Sequence, residues 1–404
     1  MTERLAPQPW MDAAPTRAVM AALAAAGGEG CARFVGGCVR DALVGRPVSD
    51  IDIATPLAPT EVIAALEAAG LRAVPTGIEH GTVTAVAAHK PFEITTLRRD
   101  VETDGRRAVV VFTPDWAEDA ARRDFRLNAL YLEPDGTLHD PVGGGVADAR
   151  AGRVVFVGEP EARIREDYLR ILRFFRFRAW YGRGEPDAAA LAACAAMKGG
   201  VAGLSGERVS KELLKLLSAP DPVPAVGLMA EAGVLEAALQ APVDLALFRS
   251  MAALTGDAEL RLSALTPPGS AAAVAKRLRL SNAQRDRLAA AIGTEPPLGL
   301  GMGDAEARRA LYRLGAATFG DRIRRLWAAA PEKGEDARRL LAVAEAWTRP
   351  RFPLSGADVM GLGAPRGPEV GRLLQAAEAW WIEADFRPGR EEALAKLREL
   401  AGTR

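Results

Sequence analysis

Two periods divide the chain. Up to about residue 150, short runs of alternating or β-branched residues sit between glycine and proline breaks. Pro15–Ala26 predicts a helix stopped by Gly27-Gly28. An apolar run then ends in Gly36-Gly37, Cys38–Val44 is helix-like, and Gly45 and Pro47 break the chain. Ser49–Ala54 predicts a strand with Asp50 and Asp52 on one face and Ile51 and Ile53 on the other. A helix over Pro59–Ala69, a strand over Leu71–Val74 and a hairpin of Thr82–Ala88 with Phe92–Leu97 follow. Arg98–Val111 is polar around Asp104-Gly105 and reads as a mobile loop or a plain surface hairpin. Glu118–Asn128 mixes charges with apolar residues before the strand-like Ala129–Leu132. Beyond that, three- and four-residue spacing takes over. Glu161–Tyr181 has no glycine or proline and predicts one helix, with Leu169, Leu172, Phe175 and Ala179 as its apolar stripe. Leu204–Leu217 is amphipathic, and the rest alternates Ala/Leu-rich helical segments with breaks such as Pro267-Pro268-Gly269.

The polar residues placed on these elements suggest chemistry. Two carboxylates on one strand face repel each other, and a divalent cation removes that cost; hard oxygen ligands suit Mg²⁺. Gly36 and Gly37 let a polyanion approach the backbone ahead of a helix N-terminus, where Arg40 can hold a phosphate. Glu93 is a lone carboxylate in an apolar strand: an edge residue facing water, or a third active-site carboxylate acting as base or completing a metal shell. Arg122, Arg123 and Asp124 make either a solvated helix end or contacts to triphosphate and ribose. Asp167 and Arg170, three apart, share one face of the predicted helix, and Arg173 and Arg176 continue the step. Taken singly, an Asp-x-Asp is a common strand end, a Gly-Gly a common turn and the Asp167–Arg170 spacing a common surface salt bridge. Their order along the chain is the specific signal.

Composition narrows the reading without deciding it. The 404 residues allow two or three domains, and 49% hydrophobic with 26% charged residues describe an ordinary globular protein. The 52 basic residues balance the 52 acidic ones, so any nucleic-acid surface is a local patch. Cys31, Cys38 and Cys194 form no paired framework and the N-terminus carries no secretory signal, which points to a reducing cytoplasm. No membrane-length apolar run occurs, and three histidines exclude a His-rich metal site.

Phe34–Thr55 resembles motif A of the class II tRNA nucleotidyltransferases, the CCA-adding enzymes, and of their poly(A) polymerase relatives. Arg122–Ala129 resembles their RRDFxxNA motif B, Asp140–Gly144 their DPxGG turn with one glycine more, and Glu166–Arg170 their EDxxR motif D. Leu204–Leu217 resembles the neck region, with Glu207, Arg208 and Glu212 in register, and Thr76–Val86 resembles the CCA-adding branch. The likeness spans roughly the first 220 residues. It implies an α/β head with a polymerase-β-like mixed sheet (1–150), a helical neck that reads the base (151–220) and a helical body and tail that bind tRNA (221–404). It implies that Asp50 and Asp52 bind catalytic Mg²⁺, with Glu93 as the third carboxylate. Gly36, Gly37, Arg40 and Arg123 would hold the nucleotide, Asp124 its sugar, Asp167 and Arg170 its base, and Arg173 and Arg176 would lie near the triphosphate.

The chemistry of the bases suits that assignment. Cytosine and adenine both present an amino donor beside an unprotonated ring nitrogen, so one carboxylate and one guanidinium accept both and reject uracil and guanine. The implied function is template-independent addition of CCA to the tRNA 3′ end from CTP and ATP, and a loop at Arg98–Val111 favours the full three-nucleotide product. The alternatives are a poly(A) polymerase on the same scaffold or a non-catalytic RNA-binding protein with a degenerate head.

Overall fold

Alternation along two neighbouring strands builds the floor of the N-terminal region in the computed structural model, which describes residues 3–104, 107–364 and 366–402. In chain order the elements are α1 (Pro9–Asp12), α2 (Ala14–Gly27), β1 (Arg33–Val35), α3 (Gly37–Leu43), β2 (Asp52–Thr55), α4 (Pro59–Ala68) and β3 (Arg72–Gly77). Strands β4 (Thr82–Ala87), β5 (Lys90–Thr96), β6 (Arg98–Asp104) and β7 (Arg107–Phe112) follow. Then come α5 (Trp116–Ala121), β8 (Tyr131–Leu132), β9 (Leu138–His139), α6 (Gly145–Ala151), α7 (Pro160–Glu166) and α8 (Leu169–Tyr181). The helices α9 (Ala188–Ala196), α10 (Gly206–Leu217), α11 (Val223–Glu231) and α12 (Val234–Leu239) complete this part.

Seven strands form one mixed sheet in the order β3-β4-β5-β2-β1-β8-β9. Val83, Ala85 and Ala87 of β4 and Phe92, Ile94 and Thr96 of β5 are buried at alternate positions, and helices α2 and α4 pack over the sheet. The β4–β5 turn is tighter than the sequence suggests. Ala88 and His89 both take positive φ, and Ala87 pairs with Lys90. That is the mirror-image two-residue turn whose twist matches a hairpin. Arg98–Val111, read as a mobile loop or a surface hairpin, takes the hairpin form: β6 and β7 make a separate antiparallel ladder from Arg98↔Phe112 to Asp104↔Arg107. Gly105, at the centre of that segment, lies outside the described residues.

The additional glycine in the Asp140–Gly144 turn has a steric reason. Gly143 and Gly144 hold φ of 80° and 81°, and a Cβ on Gly145 would meet the Arg126 carbonyl oxygen at 2.5 Å.

Glu161–Tyr181 departs from the single predicted helix. It is two helices, and Asp167 between them is extended at φ −157°. The cause is local. The Asp167 carboxylate accepts the backbone N–H of Leu169 at 3.1 Å, capping the second helix and so ending the first. Phe174 and Phe177 of α8 pack against Phe125, and Phe156 stacks on Phe174, which ties the region after α5 to the helical layer.

The chain divides into two compact units, Met1–Ala241 with Arg277–Arg279, and Pro242–Lys276 with Leu280–Arg404. The second is helical throughout among its described residues, from Leu245–Leu254 to Arg390–Ala401. One of its cores joins Leu311, Phe319, Ile323 and Leu340; another joins Leu354, Val359, Leu373, Ala377 and Leu397. Among the described residues no helix is long and apolar enough to cross a membrane.

Candidate active site on the mixed sheet

Parallel pairing of β2 with β5 sets the site. Asp52 stands opposite Glu93 and Ile53 opposite Ile94. Partners in register point to the same side of a sheet, so the buried isoleucines leave both carboxylates on the other face. The strand begins at Asp52, and exposed Asp50 precedes it. Glu93 is exposed as well, but β5 is an interior strand, so the edge-strand reading does not hold.

These charges are unbalanced. Burial first, then the neighbouring Glu93, pushes the Asp52 carboxyl up to about 6; Asp50 adds to the rise, and Arg123 and Arg40 oppose it. Ser49 Oγ donates to Asp50 at 3.3 Å. Among the described residues no group of three or more His, Cys, Asp or Glu side chains is gathered closely enough to hold a metal ion by itself. The donor set still suits Mg²⁺, which is commonly held by one or two carboxylates and completed by water and substrate phosphates. Like-charged carboxylate oxygens at the Asp52–Glu93 pair are what such a cation neutralises.

Gly36 and Gly37 form the turn into α3. Gly36 has φ 70° and ψ −116°, a conformation open to glycine, and a Cβ there would lie 3.5 Å from the Arg123 guanidinium. Arg123 is therefore beside the glycine turn and acts on Asp52. Asp119, absent from the sequence reading, fixes it. The Asp119 carboxylate accepts from Arg123 at 3.0 Å, from Arg122 at 2.8 Å and from the Tyr131 hydroxyl at 2.7 Å. Burial alone would raise its pKa, but the two arginines and Tyr131 outweigh that and hold it down at about 2. The three- and four-residue spacing of Asp119 to Arg122 and Arg123 was the available signal.

Arg40 also stands beside the glycine turn, its guanidinium 3.8 Å from where a Cβ on Gly37 would lie, and it is already bonded within the chain. Its buried guanidinium donates to Asn128 Oδ1 at 2.6 Å, to the Tyr181 hydroxyl at 2.7 Å and to Asp41 at 3.0 Å. Asp124 is likewise occupied. It accepts from Arg173 at 2.7 Å and Asn128 at 2.9 Å; burial would raise its pKa, and Arg173 turns the balance downward. Arg176 pairs with Glu212 of α10 at 2.5 Å. The side chains of Asp167 and Arg170 do not bond each other, although the Arg170 backbone N–H donates to the Asp167 carbonyl at 3.0 Å. Asp167 is held by Arg208 of α10 at 2.6 Å. Arg170 bonds Glu166 and the Arg163 carbonyl, and Arg163 in turn reaches the Arg123 carbonyl at 2.9 Å. The sequence reading missed Glu166 as the partner of Arg170.

These arrangements have counterparts. The family described as Poly A polymerase head domain matches residues 32–155, and that described as Probable RNA and SrmB- binding site of polymerase A matches 185–242. The chain is 34% identical over 395 residues to the mitochondrial CCA tRNA nucleotidyltransferase 1 of Homo sapiens, covering 91% of this chain and 86% of that one. It is 40% identical over 208 residues to the CCA-adding enzyme of Geobacillus stearothermophilus, half of this chain and 49% of the relative. The solved Bacillus stearothermophilus CCA-adding enzyme in complex with CTP superposes with a TM-score of 0.76 at 27% identity, over 96% of this chain and 98% of that one. With its mixed-sheet head and its helical neck, body and tail, the chain belongs to the CCA-adding tRNA nucleotidyltransferases.

Proposed function

We propose that this enzyme adds CCA to the 3′ end of tRNA from CTP and ATP, with Mg²⁺ held by Asp50 and Asp52. The observation that carries this reading is the in-register Asp52–Glu93 pair, a repelling couple of like charges, beside Arg123 at the glycine turn. The terminal 3′-hydroxyl of the tRNA attacks the α-phosphate; an O–P bond forms, the bond to the β-phosphate oxygen breaks, and pyrophosphate leaves. Held by Asp50 and Asp52, Mg²⁺ would supply positive charge for the attacking hydroxyl and the leaving pyrophosphate. Glu93 either takes the hydroxyl proton or completes the set of oxygen donors. Arg123 faces the triphosphate alongside Gly36 and Gly37, and Asp124, held by Arg173, contacts the sugar. Arg40, beside Gly37, also holds the triphosphate, and Arg173 and Arg176 add positive charge near it.

Base choice rests with Asp167 and Arg170. Asp167 accepts from the amino group shared by cytosine and adenine, and Arg170 donates to the ring nitrogen. In the nucleotide-free arrangement each is bonded elsewhere, to Arg208 and Glu166. Nucleotide binding therefore exchanges partners. We take residues 1–150 as head, 151–220 as neck and 221–404 as the tRNA-binding body and tail. The three buried, unpaired cysteines suit a reducing cytoplasm.

The decisive experiment combines purified protein, Mg²⁺ and a tRNA lacking CCA with each nucleoside triphosphate singly and together, and measures product length. Growth by three nucleotides with CTP and ATP together is expected. A long adenosine ladder would identify a poly(A) polymerase instead, and no extension would leave a binding protein.

A further inference from the structure

Arginines in this chain commonly face a carboxylate: Arg123, Arg173, Arg287 and Arg308 all do. A cavity of about 430 Å³ in the N-terminal unit breaks that habit. Arg46, Arg178 and Arg183 all line it, together with Trp180, Tyr181 and Asp221, and none of the three arginines forms an ion pair within the described residues. Arg46 donates to the Trp180 carbonyl, and its guanidinium lies 4.6 Å from the centre of the Tyr181 ring. Arg178 donates to the carbonyls of Arg183 and Gly184. Carbonyl partners orient a guanidinium without cancelling its charge. Burial lowers the pKa of Arg178, and Glu185 opposes that only in part. Arg183 is exposed. Asp221 is the one carboxylate of the lining, and it already caps the Val223 N–H at 3.2 Å. Asp50, Asp52 and Glu93 do not line this cavity.

We infer that this cavity is a second phosphate site, separate from the carboxylate pair, and that it takes a backbone phosphate of the tRNA. Oriented, unneutralised guanidiniums match the oxygens of a phosphodiester. A base is a poor fit, because the Tyr181 ring already carries two guanidiniums, those of Arg40 at 4.1 Å and Arg46. The site also touches the machinery indirectly. Arg46 and Arg40 meet on Tyr181, and Arg40 holds Asn128 beside Asp124. The inference rests on tRNA being the substrate.

The test measures binding of full-length protein to tRNA lacking CCA across a salt series. Variants are Arg183→Gln, Arg46→Gln, both together, and Arg46→Lys. Each lost arginine is expected to weaken binding roughly three- to tenfold at low salt and to lower the slope of log Kd against log salt by about 1. Arg46→Lys should restore most of the slope, and KM for CTP at saturating tRNA should not move. Arg183 is exposed and, among the described residues, its side chain has no bonded partner, so Arg183→Gln reports on binding even if Arg46→Gln unfolds. Unchanged affinity and slope in Arg183→Gln and the double variant overturn the proposal. Calorimetric titration with pyrophosphate separates the other source of the same chemistry. A pyrophosphate site lost in the double variant, with tRNA affinity intact, also overturns the RNA assignment. Wild-type protein that fails to bind tRNA overturns the substrate reading as well, an outcome distinct from variants that bind as wild type does.

Discussion

Asp52 and Asp119 are both largely buried aspartates of the same sheet region, and their surroundings drive them in opposite directions. Asp119 accepts from two arginines and a tyrosine and is held at about 2. Asp52, pushed first by burial and then by Glu93 and Asp50, rises to about 6. The difference separates a charge satisfied within the chain from one left for a ligand. Asp119 completes a structure; in the proposed function Asp52 takes its partner from a bound cation. Asp167 is intermediate, tied to a single arginine, Arg208, the bond that the proposed base reading would exchange.

The largest effect expected from breaking this contrast is catalytic. Asp50→Asn or Asp52→Asn should lower turnover by at least about a thousandfold, the several kcal/mol a metal contributes to the transition state. Circular dichroism and tRNA binding should stay as in wild type; near-normal turnover in either variant would remove the metal assignment.

Next comes base choice. Asp167→Ala leaves the amino group of the incoming base without its acceptor, costing on the order of 1–3 kcal/mol, about one to two decades. UTP should gain on CTP in kcat/KM on tRNA ending before the first C, and Arg170→Ala should weaken CTP and ATP together. Wild-type discrimination between CTP and UTP in Asp167→Ala would reduce this residue to its bond with Arg208.

Asp119→Asn tests the satisfied side. A depressed pKa contributes stability above the ordinary carboxylate value near 3.8, and that stability is lost as pH falls through about 2. The variant should therefore lose about 2 kcal/mol near pH 7 and converge with wild type near pH 2. Denaturant unfolding at both pH values checks this; equal stability at pH 7 would mean the arginines find other partners.

The smallest effect has the opposite sign. The raised pKa of Asp52 means that its ionised form destabilises the native state above about pH 6, and the penalty is gone below the unfolded value near 3.8. Without Mg²⁺, Asp52→Asn should be more stable than wild type near pH 7 by on the order of 1 kcal/mol, a gain that closes on acidification to pH 4. Thermal melts would show a rise of one to a few degrees. A lower melting temperature at pH 7 would show that the Asp52 charge is satisfied after all.

The contrast also marks what the sequence can disclose. Period alone recovers α2, α4, β4 and β5 to within two residues, because their apolar positions answer directly to burial. It misses the break at Asp167, since no glycine or proline marks it and only a capping carboxylate does. It also places Asp50 in a strand that begins at Asp52. Motif order names residues that cluster, but not who bonds whom. Asp167 meets Arg208 forty-one residues away and Asp124 meets Arg173 forty-nine away, separations to which no local pattern is sensitive. The pairing of Glu93 with Asp52 is likewise set by strand register, fixed by packing of the isoleucines beneath.

The guanidinium of Arg40 carries a consequence for the order in which this protein is made. It bonds Asn128, eighty-eight residues later, and Tyr181, one hundred and forty-one later. Domains form largely as the chain emerges during synthesis, N-terminal segments first. A nascent chain of 150 residues carries the whole seven-stranded sheet, yet it leaves Arg40 without its Tyr181 partner and Asp124 without Arg173. The head should remain protease-sensitive on the ribosome until the helix ending at Tyr181 has cleared the exit tunnel, and acquire protection in one step thereafter.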